Sequence, residues 1–473
     1  MILAAPLWSS SHPRKDSKTA LRKETAIGCA AFVLCIGALS LHWMRTWQAN
    51  RGFSAAGAKL VVFGPSSWDA FAPGAAETVV SQVTAALDQK FQLAHPELKN
   101  IVHDSRGTVA DGLARLRNAQ VAGDQLDVVI CAANPVNTVY ARAGLIAPLD
   151  SLVAGMKQRF TQDAIENFNV DGHLWAAPLS AVNLTTFFYN RDLFAKIGAE
   201  PPTTYAEFQT LVPKFKAIGI IPVVHQGKNS WMWLLYYMSA LAQVTNNNQV
   251  SFVAGLLEGR EKFTGSVNLR ALQLARNWVD DGLLDPQSNE LDEDAMRSVF
   301  YSGRAAAYFG ATWDLPGIAA NAPFNWGVFP FPKYLSEPGR PQSFGGAESG
   351  LCVAANTRQP DLAKAYIEFA TRDDNAKDLL APLKAFATSH RNVSGVDDAI
   401  SRTLRAQLPA AKFLDWIFPP ELTELMQREI QAMMGLSQSP EQTAANIQEK
   451  YASLVKAGYR YRATQITSKE LPQ

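Results

Sequence analysis

The stretch DGHLWAAPLSAVNLTTFFYNRDLFAKIGAEPPTTYAEF, residues 171–208, decides the fold. It opens with Asp171-Gly172, a dipeptide typical of a tight hairpin turn. We therefore predict that His173–Pro178 re-enters as a short strand. Leu184–Asn190 is rich in Thr, Phe and Tyr, side chains that suit a pleated sheet surface, and is predicted to be a longer strand.

Two helices are predicted in the second half of this stretch. Arg191–Ile197 has apolar residues at helical spacing and is followed by Gly198, a typical helix C-cap. A double proline then interrupts the chain. A threonine of the pair Thr203–Thr204 can cap the next helix, with Glu207 placed to complete a capping box.

The segments on either side alternate between strands and helices. Three apolar strands separated by two helical segments precede residue 171, a pattern typical of a parallel sheet with helices packed on it. In such sheets ligands bind at the carboxyl ends of the strands. The predicted strands are Lys59–Phe63, Asn100–His103 and Leu126–Cys131, and the predicted helices are Glu77–Leu93 and Thr108–Ala122.

The compound pattern resembles bacterial extracellular solute-binding proteins of the sugar-binding, maltose-binding-protein-like group. In that family, a segment such as residues 171–208 is where the chain first crosses from one lobe to the other. Phe300–Trp313 (FYSGRAAAYFGATW) resembles the family's return crossing. Asn325–Pro332 (NWGVFPFP) and Ser343–Ala355 (SFGGAESGLCVAA) resemble the family's return to the first lobe.

The resemblance implies an α/β, type II periplasmic-binding-protein fold. Such a fold has two hinged lobes, each with a central mixed sheet flanked by helices. By analogy, we expect lobe I at residues 58–181 plus 316–372, and lobe II at residues 182–315 plus 373–473. The two lobes are expected to meet where the chain crosses at Ser180–Leu184 and again at Gly310–Leu315.

The N-terminal sequence indicates the cellular compartment in which the body of the protein lies. A basic tail at residues 1–24 precedes an uncharged apolar run, Thr25–Met44, which is long enough to cross a bilayer as a helix. The basic residues favour an N-inside orientation, so the body is expected to be periplasmic or otherwise extracytoplasmic. Both a cleaved signal peptide and an uncleaved inner-membrane anchor fit. The bulky residues after the run favour the anchor, and residues 45–57 are interpreted as a linker.

Composition excludes several classes of function. The 473-residue chain is 47% hydrophobic and 18% charged, as expected for a globular protein, and its net charge of +1 gives no reason to expect nucleic-acid binding. It contains no GxSxG, Walker, GxGxxG or HExxH motif and no Cys/His cluster. We therefore expect no catalytic residue, no metal and no cofactor. The carboxylates of Asp292–Asp294 are interpreted as a solvated helix end.

The four cysteines fall into two groups. Cys29 and Cys35 lie in the apolar N-terminal run, whereas Cys131 and Cys352 lie far apart in the body. If the fold is as the resemblance implies, Cys131 and Cys352 lie on neighbouring strands of lobe I. A disulfide in an oxidising compartment and two buried free thiols both remain open.

A sugar site needs flat aromatic faces and a few fixed polar groups for the hydroxyls. Eight residues at strand ends, at the expected crossings or in a late lobe II segment are candidates. For Asn134, Gly346, Glu348 and Trp416, the resemblance implies a ligand contact, because the family often places one at such positions. For each of the eight, packing within a loop or in the core is the alternative. The candidate ligand-binding residues are Trp68, Asn134, Asn183, Trp231, Trp313, Gly346, Glu348 and Trp416. Trp233, Tyr236 and Tyr237 are expected to pack inside the helix that Trp231 opens.

The expected function is capture of a sugar or oligosaccharide by hinge closure. The resemblance implies delivery to the permease subunits of an ABC importer by a monomeric binding protein. Three alternatives stay open: a membrane-anchored ligand sensor, a binding protein for a polyamine, glycerophosphodiester or peptide, and an enzyme on a similar scaffold.

Overall fold

A computed structural model describes residues 58–64, 79–104, 112–133, 140–179, 181–347, 349–408, 418 and 420–458. The predictions for the N-terminal tail, the apolar run and the linker lie outside these residues. So do four candidate site residues, Trp68, Asn134, Glu348 and Trp416. Within the described part of the chain, no helix is both long enough and apolar enough to cross a membrane.

The first sheet is mixed and has the strand order β2-β1-β3-β13-β4, with β7 also paired to β13. Strand β1 runs parallel to β3, with Val62 opposite Val128. Strand β13 runs antiparallel to β3, with Cys352 opposite Val129. The strands are β1 (Ala58–Phe63), β2 (Leu98–Asp104), β3 (Val128–Ala132), β4 (Ile146–Ala147), β7 (Ala177–Pro178) and β13 (Ser349–Ala354).

Four helices belong to the first sheet. Helix α1 contacts both α12 and α13. The Asp88 carboxylate of α1 accepts a hydrogen bond from the Tyr366 hydroxyl of α12 at 2.8 Å and contacts His103 Nε2 of β2 at 2.7 Å. These contacts join the sheet to its helical layer. The helices are α1 (Val79–Ala94), α2 (Gly112–Ala122), α12 (Pro360–Ala370) and α13 (Asp373–Leu380).

The second sheet is also mixed and has the order β11-β8-β10-β9, with β12 paired to β8. Strand β10 is antiparallel to β8 and parallel to β9. Every residue of β8 from Leu184 to Asn190 and every residue of β10 is buried, so both faces of this sheet are covered. The strands are β8 (Asn183–Asn190), β9 (Ile221–Val224), β10 (Ala305–Ala311), β11 (Trp326–Phe329) and β12 (Gly345–Gly346).

An aromatic core fills the space between the second sheet and its helices. The Phe187 ring of β8 stacks on Trp278 and on Phe329 at centroid distances of 5.5 and 5.0 Å. Helix α7 is buried on all sides from Met232 to Gln243, which confirms that Trp233, Tyr236 and Tyr237 are core residues. The helices around this core are α6 (Tyr205–Ala217), α7 (Trp231–Val244), α8 (Gln249–Glu258), α9 (Ser266–Asp280), α15 (Pro420–Met434) and α16 (Pro440–Lys456).

Shorter elements connect these layers. The predicted Asp171-Gly172 turn is present, with φ values of 54° and 86°, and joins β5 to β6. The predicted capping box is also present, with Thr204 and Glu207 each bonding the other's backbone N–H. The remaining elements are α3 (Val153–Arg159), α4 (Gln162–Glu166), β5 (Asn169–Val170), β6 (His173–Leu174), α5 (Arg191–Lys196), α10 (Glu293–Tyr301), α11 (Leu315–Asn321) and α14 (Ala399–Arg405), with 3-10 turns at Asp150–Leu152, Pro286–Glu290 and Thr312–Asp314.

The two sheets are joined by paired segments of chain. In the first sheet Pro178 lies opposite Gly350, and in the second sheet Asn183 lies opposite Gly346. The chain therefore leaves the first sheet and returns to it as two antiparallel neighbours. A third segment runs beside them, because Val182 N donates to Ala387 O at 3.2 Å.

The predicted position of the chain's return crossing to the first lobe, Gly310–Leu315, was wrong. Strand β11 hydrogen-bonds along the free edge of β8, with Trp326 opposite Asn190, so the segment NWGVFPFP stays with the second sheet. The chain crosses back only after Gly346, and residues 316–346 do not belong with the first sheet. Likewise α13 at Asp373–Leu380 packs on α1 of the first sheet, although residues from 373 onward were assigned to lobe II.

Cys131 and Cys352 form a disulfide between β3 and β13. Their Cα atoms are 6.8 Å apart and both residues are buried. Of the two alternatives that the sequence left open, the structure contains the bonded one. The bond closes a loop of 221 residues, which includes every described residue of the second sheet.

Candidate functional site

The crossing segments bring one edge of each sheet together. In the first sheet, β1 and β3 end at the same edge because they are parallel, and β13 begins there, with Ser349 opposite Ala132. In the second sheet, β8 begins at the edge where β9 and β10 end. Since β7 leads directly into β8, these two edges face each other across the hinge. Carboxyl ends of parallel strands at such an edge are a common location for ligands.

Two tryptophans meet at this edge of the second sheet. Trp313 follows β10 in a 3-10 turn, and Trp231 is the first residue of α7. Their ring centroids lie 5.9 Å apart with an interplanar angle of 52°. Both rings are partly exposed, whereas their chain neighbours Met232 and Thr312 are buried. The two residues thus present aromatic surface to solvent from a rigid base.

The loop before α7 explains why Trp231 stays partly exposed while Trp233 is buried. Strand β9 ends beside β10, and the loop then turns into the helix. The Trp233 indole N–H donates to Gly227 O at 3.0 Å and to Asn289 Oδ1 at 2.7 Å. The bond to Gly227 anchors the loop to the helix. These bonds fix the start of α7, and Trp231, its first residue, lies beside Trp313.

Asn183 and Gly346 lie next to the tryptophan pair. Leu184 N donates to Thr312 Oγ1 at 3.0 Å, so the first crossing runs directly beside the turn that carries Trp313. Asn183 and Gly346 are partly exposed, as the tryptophans are. All four described candidates therefore come together at the hinge edge of the second sheet.

Gly345 allows the two crossing strands to approach closely. A Cβ atom at this position would lie 2.1 Å from Asn183 O, a distance that no side chain can occupy. A hydrogen bond beside this contact also holds the two strands together. Phe344 N donates to Thr185 Oγ1 at 2.8 Å. The hinge is thus closely packed at its narrowest point.

A buried carboxylate lies immediately after Trp313. Asp314 is fully buried, and Arg297 Nε of α10 donates to its Oδ1 at 3.0 Å. Burial raises the pKa of the Asp314 carboxyl, although Arg297 opposes this effect. The same guanidinium donates to Glu293 Oε1 at 2.7 Å. An ion-pair network therefore underlies the turn that carries Trp313.

Two surface cavities lie elsewhere. One of about 570 Å³ lies between α1 and α13, and one of about 370 Å³ lies beside the double proline, where Glu207 is part of the capping box. Neither includes any of the four described candidates among its lining residues. Within the described residues, no group of His, Cys, Asp and Glu side chains is arranged to hold a metal ion.

Residues 75–377 match the family model of the bacterial extracellular solute-binding proteins. The chain belongs to this family. The family prediction made from residues 171–208 is therefore confirmed, as is the two-lobed α/β fold with a mixed sheet in each lobe.

Several curated relatives of this solute-binding protein have sugar-binding names, among them proteins of Bacillus subtilis and Streptococcus mutans. It is 26% identical over 267 residues to the maltodextrin-binding protein MdxE of Bacillus subtilis, covering 54% of this chain and 58% of that protein. It is 23% identical over 276 residues to the multiple sugar-binding protein of Streptococcus mutans, covering 57% and 64%. The chain spans about three-fifths of the length of these relatives.

Solved structures with the same fold match this chain over nearly their whole length. A chitin oligosaccharide binding protein superposes with a TM-score of 0.71 at 19% identity, covering 84% of this chain and 98% of that one. The bacterial solute receptor AcbH, described as preferring β-D-galactopyranose, superposes with a TM-score of 0.72 at 16% identity, covering 86% and 100%. At these identities the likeness establishes the fold of the solute-binding protein.

Sequence reasoning missed several residues at the hinge edge of this solute-binding protein. Gln226 is fully buried in the loop before α7, where its Oε1 accepts from Asn229 Nδ2 at 2.6 Å. Glu293 was interpreted as part of a solvated helix end, yet burial raises the pKa of its carboxyl. Its spacing of four residues from Arg297 was the available signal, since such pairs meet on one face of a helix.

Proposed function

We propose that this solute-binding protein captures a sugar or oligosaccharide between its two lobes and delivers it to an ABC importer. The observation that carries the proposal is the Trp231–Trp313 pair, partly exposed at the hinge edge with ring centroids 5.9 Å apart. Aromatic faces at this spacing suit the C–H-rich faces of consecutive sugar rings. Asn183 and backbone N–H groups near Gly346 would supply polar partners for hydroxyls.

The way in which the two sheets are connected supports closure of the two lobes about a hinge. The crossing strands are paired on both sides of the hinge, at Pro178–Gly350 and Asn183–Gly346. Bending between these pairs moves one lobe against the other while each sheet stays intact. A ligand that touches both lobes binds the closed state better and shifts the population towards it.

The compartment and the partner belong to the same proposal. The family is extracellular by description, and the disulfide between Cys131 and Cys352 suits an oxidising compartment. We place the body outside the cytoplasm, tethered to the inner membrane by residues 25–44. The closed monomer would then be recognised by the importer's permease subunits, and no bond in the ligand would be made or broken. Lobe I and lobe II would be built around the first and second sheets, respectively.

A thermal-shift screen of the full chain tests this function. A ligand that binds only the folded state raises its melting temperature by mass action. We expect stabilisation by one or more of maltodextrins, chitooligosaccharides, raffinose and galactose, without turnover of the stabilising ligand. Stabilisation by a polyamine or a glycerophosphodiester but by no sugar would overturn the carbohydrate assignment. Turnover of the stabilising ligand would make the protein an enzyme.

A further inference from the structure

The loop that leads into Trp231 has no apolar side chain with which to hold itself in place. It comprises residues 226–230 (QGKNS) between β9 and α7, and we call it the α7 loop. Helix α7 begins at Trp231, and the side chain of its N-cap residue, Ser230, makes no capping hydrogen bond. The first turn of a helix leaves backbone N–H groups without intrahelical partners, and such ends fray. Contacts from elsewhere in the chain are therefore needed to fix the start of α7.

Two backbone hydrogen bonds join the α7 loop to the end of the 3-10 turn at Pro286–Glu290. Gly227 N donates to Ser288 O at 2.9 Å, and Lys228 N donates to Leu291 O at 3.0 Å. The backbone of the loop is thus attached to a segment that is distant in sequence.

Two amide side chains, those of Asn289 and Gln431, complete the network. Gln431 Nε2 of α15 donates to Gly227 O at 2.7 Å. The Trp233 indole N–H donates to the same carbonyl at 3.0 Å and to Asn289 Oδ1 at 2.7 Å. Asn289 Nδ2 in turn donates to Gln431 O at 2.9 Å. Four residues from three distant segments therefore form a closed ring of hydrogen bonds that includes the Gly227 carbonyl.

The ring is closely packed against two glycines. A Cβ atom on Gly227 would lie 2.6 Å from Trp233 Cζ2 and 2.8 Å from Asn289 Oδ1. A Cβ atom on Gly435, the residue after α15, would lie 2.5 Å from Asn289 Nδ2. The contacts of Asn289 therefore depend on glycine at both positions, one in the α7 loop and one at the end of α15.

We propose that Asn289 and Gln431 are positioning residues that fix the α7 loop and the first turn of α7, so that Trp231 lies beside Trp313 before ligand arrives. The importance for binding rests on the proposed function. Trp231 is the first residue of α7, so any movement of the loop also moves the base of its side chain. A side chain that is fixed in advance loses less entropy on binding. Without the Gln431 amide, we expect the affinity for a stabilising sugar to fall roughly three- to tenfold.

Two variants remove these amides without leaving a backbone carbonyl of the ring unpaired. In Gln431→Met, Gly227 O keeps its hydrogen bond from the Trp233 indole N–H. In Asn289→Leu, Gln431 O keeps its hydrogen bond from Gly435 N at 2.9 Å. Each replacement is similar in size to the original side chain. We therefore expect both variants to fold.

The first test needs no ligand. The near-ultraviolet circular dichroism of the full chain minus that of Trp231→Phe gives the Trp231 contribution, including its coupling to Trp313. We expect this contribution to fall below half its size when both spectra are recorded in a Gln431→Met background, and likewise in an Asn289→Leu background. An undiminished contribution in either background would overturn the proposal.

Gln120→Met is the matched control. The Gln120 side chain also lies on a helix, is also partly exposed, and donates through Nε2 to a backbone carbonyl, Leu145 O, at 2.6 Å. These residues belong to the first sheet and its helices, so this variant should leave the Trp231 contribution unchanged. If it lowers the contribution as much as Gln431→Met does, the effect is a general one of removing such a hydrogen bond, and the proposal is overturned.

The second test is a double-mutant cycle on the affinity for a stabilising sugar. If Gln431 acts through Trp231, Gln431→Met weakens binding in the wild-type background and has no further effect in Trp231→Ala. Additive losses would show that Gln431 acts independently of Trp231 and would overturn its positioning role. If no sugar binds at all, the proposed function fails while the circular dichroism still decides whether the two amides hold Trp231, so the two failures are distinguishable.

Discussion

Asn183 and Gly346 lie directly opposite each other on the two antiparallel strands that join the two sheets. Each is partly exposed, and each is one residue from a buried neighbour, Leu184 or Gly345. The pairing means that neither crossing strand can bend alone without breaking backbone hydrogen bonds. The hinge is therefore built from this strand pair together with the third segment that accepts from Val182 N at Ala387 O, and the residues that close the strand pair also lie at the candidate ligand site.

Gly345→Ala should disrupt this strand pair. The new Cβ would lie 2.1 Å from Asn183 O, so one of the two strands must shift. We expect a loss of about 2–3 kcal/mol in the free energy of unfolding, in the range of other overpacked sites. Urea unfolding measures it. Gly123→Ala is the control, because Gly123 has a φ of 75° with nothing within 4 Å of its Cβ position, and strain alone should cost about 1 kcal/mol. Equal losses would contradict the close-approach argument.

Trp231→Ala and Trp313→Ala should each weaken sugar binding at least tenfold. Tenfold corresponds to about 1.4 kcal/mol, which is in the range expected when one aromatic stacking face is removed. Isothermal titration with the sugar found in the thermal screen gives the affinities. Trp175→Ala is the control, since Trp175 is also partly exposed but donates to Val170 O within the β5–β6 hairpin of the first lobe. A Trp313→Ala protein that binds as tightly as wild type would exclude a stacking role.

Features that depend on neighbours in sequence were predictable. The Asp171-Gly172 turn and the Thr204–Glu207 capping box each involve residues at most three apart, so local chemistry decides them. The burial of Trp233 was likewise expected from its place inside an aromatic helix that Trp231 opens. The fold class and the location of the first crossing came instead from the resemblance of the compound pattern at residues 171–208 to the solute-binding family, which the family match confirms.

Features that depend on distant partners were not predictable. Trp326–Phe329 could extend either sheet by composition, and its place was decided by the free edge of β8, about 140 residues earlier. Asp314 is an ordinary polar residue in sequence, and its burial against Arg297 follows only from the packing of α10 beside β10. The bond between Cys131 and Cys352 could be only an open alternative, because it depends on the adjacency of β3 and β13.

Removing the disulfide should destabilise the body. A bond that closes a loop of 221 residues restricts the unfolded chain strongly, and we expect a loss of about 3–5 kcal/mol in Cys131→Ala/Cys352→Ala. Both this protein and its parent would carry Cys29→Ser and Cys35→Ser, so that only the body cysteines are measured. Urea unfolding of the parent with and without reductant should reproduce the same loss. Two reactive thiols in the unfolded, non-reduced parent would contradict the bond.

His225 should make stability depend on pH in a defined window. The side chain is fully buried against Trp233 and Tyr236, and neither ring nitrogen has a hydrogen-bond partner among the described residues. Burial lowers its pKa from 6.5 to about 3. The folded state therefore resists protonation while the unfolded state accepts it. The stability contribution is fully present above pH 6.5 and is lost progressively as the pH falls towards 3.

At pH 5 the cost of excluding that proton should be about 2 kcal/mol relative to pH 7.5. In His225→Gln the side chain cannot titrate, so its free energy of unfolding should fall by about 2 kcal/mol less than that of wild type over the same interval. Urea unfolding at both pH values gives the difference, in which carboxylates common to both proteins cancel. His173→Gln is the control, because that ring is exposed beside Asp150 and its replacement removes no buried imidazole. If wild type and His225→Gln lose stability in parallel between pH 7.5 and 5, the imidazole must gain a proton within the folded protein, and water must reach it inside the second lobe.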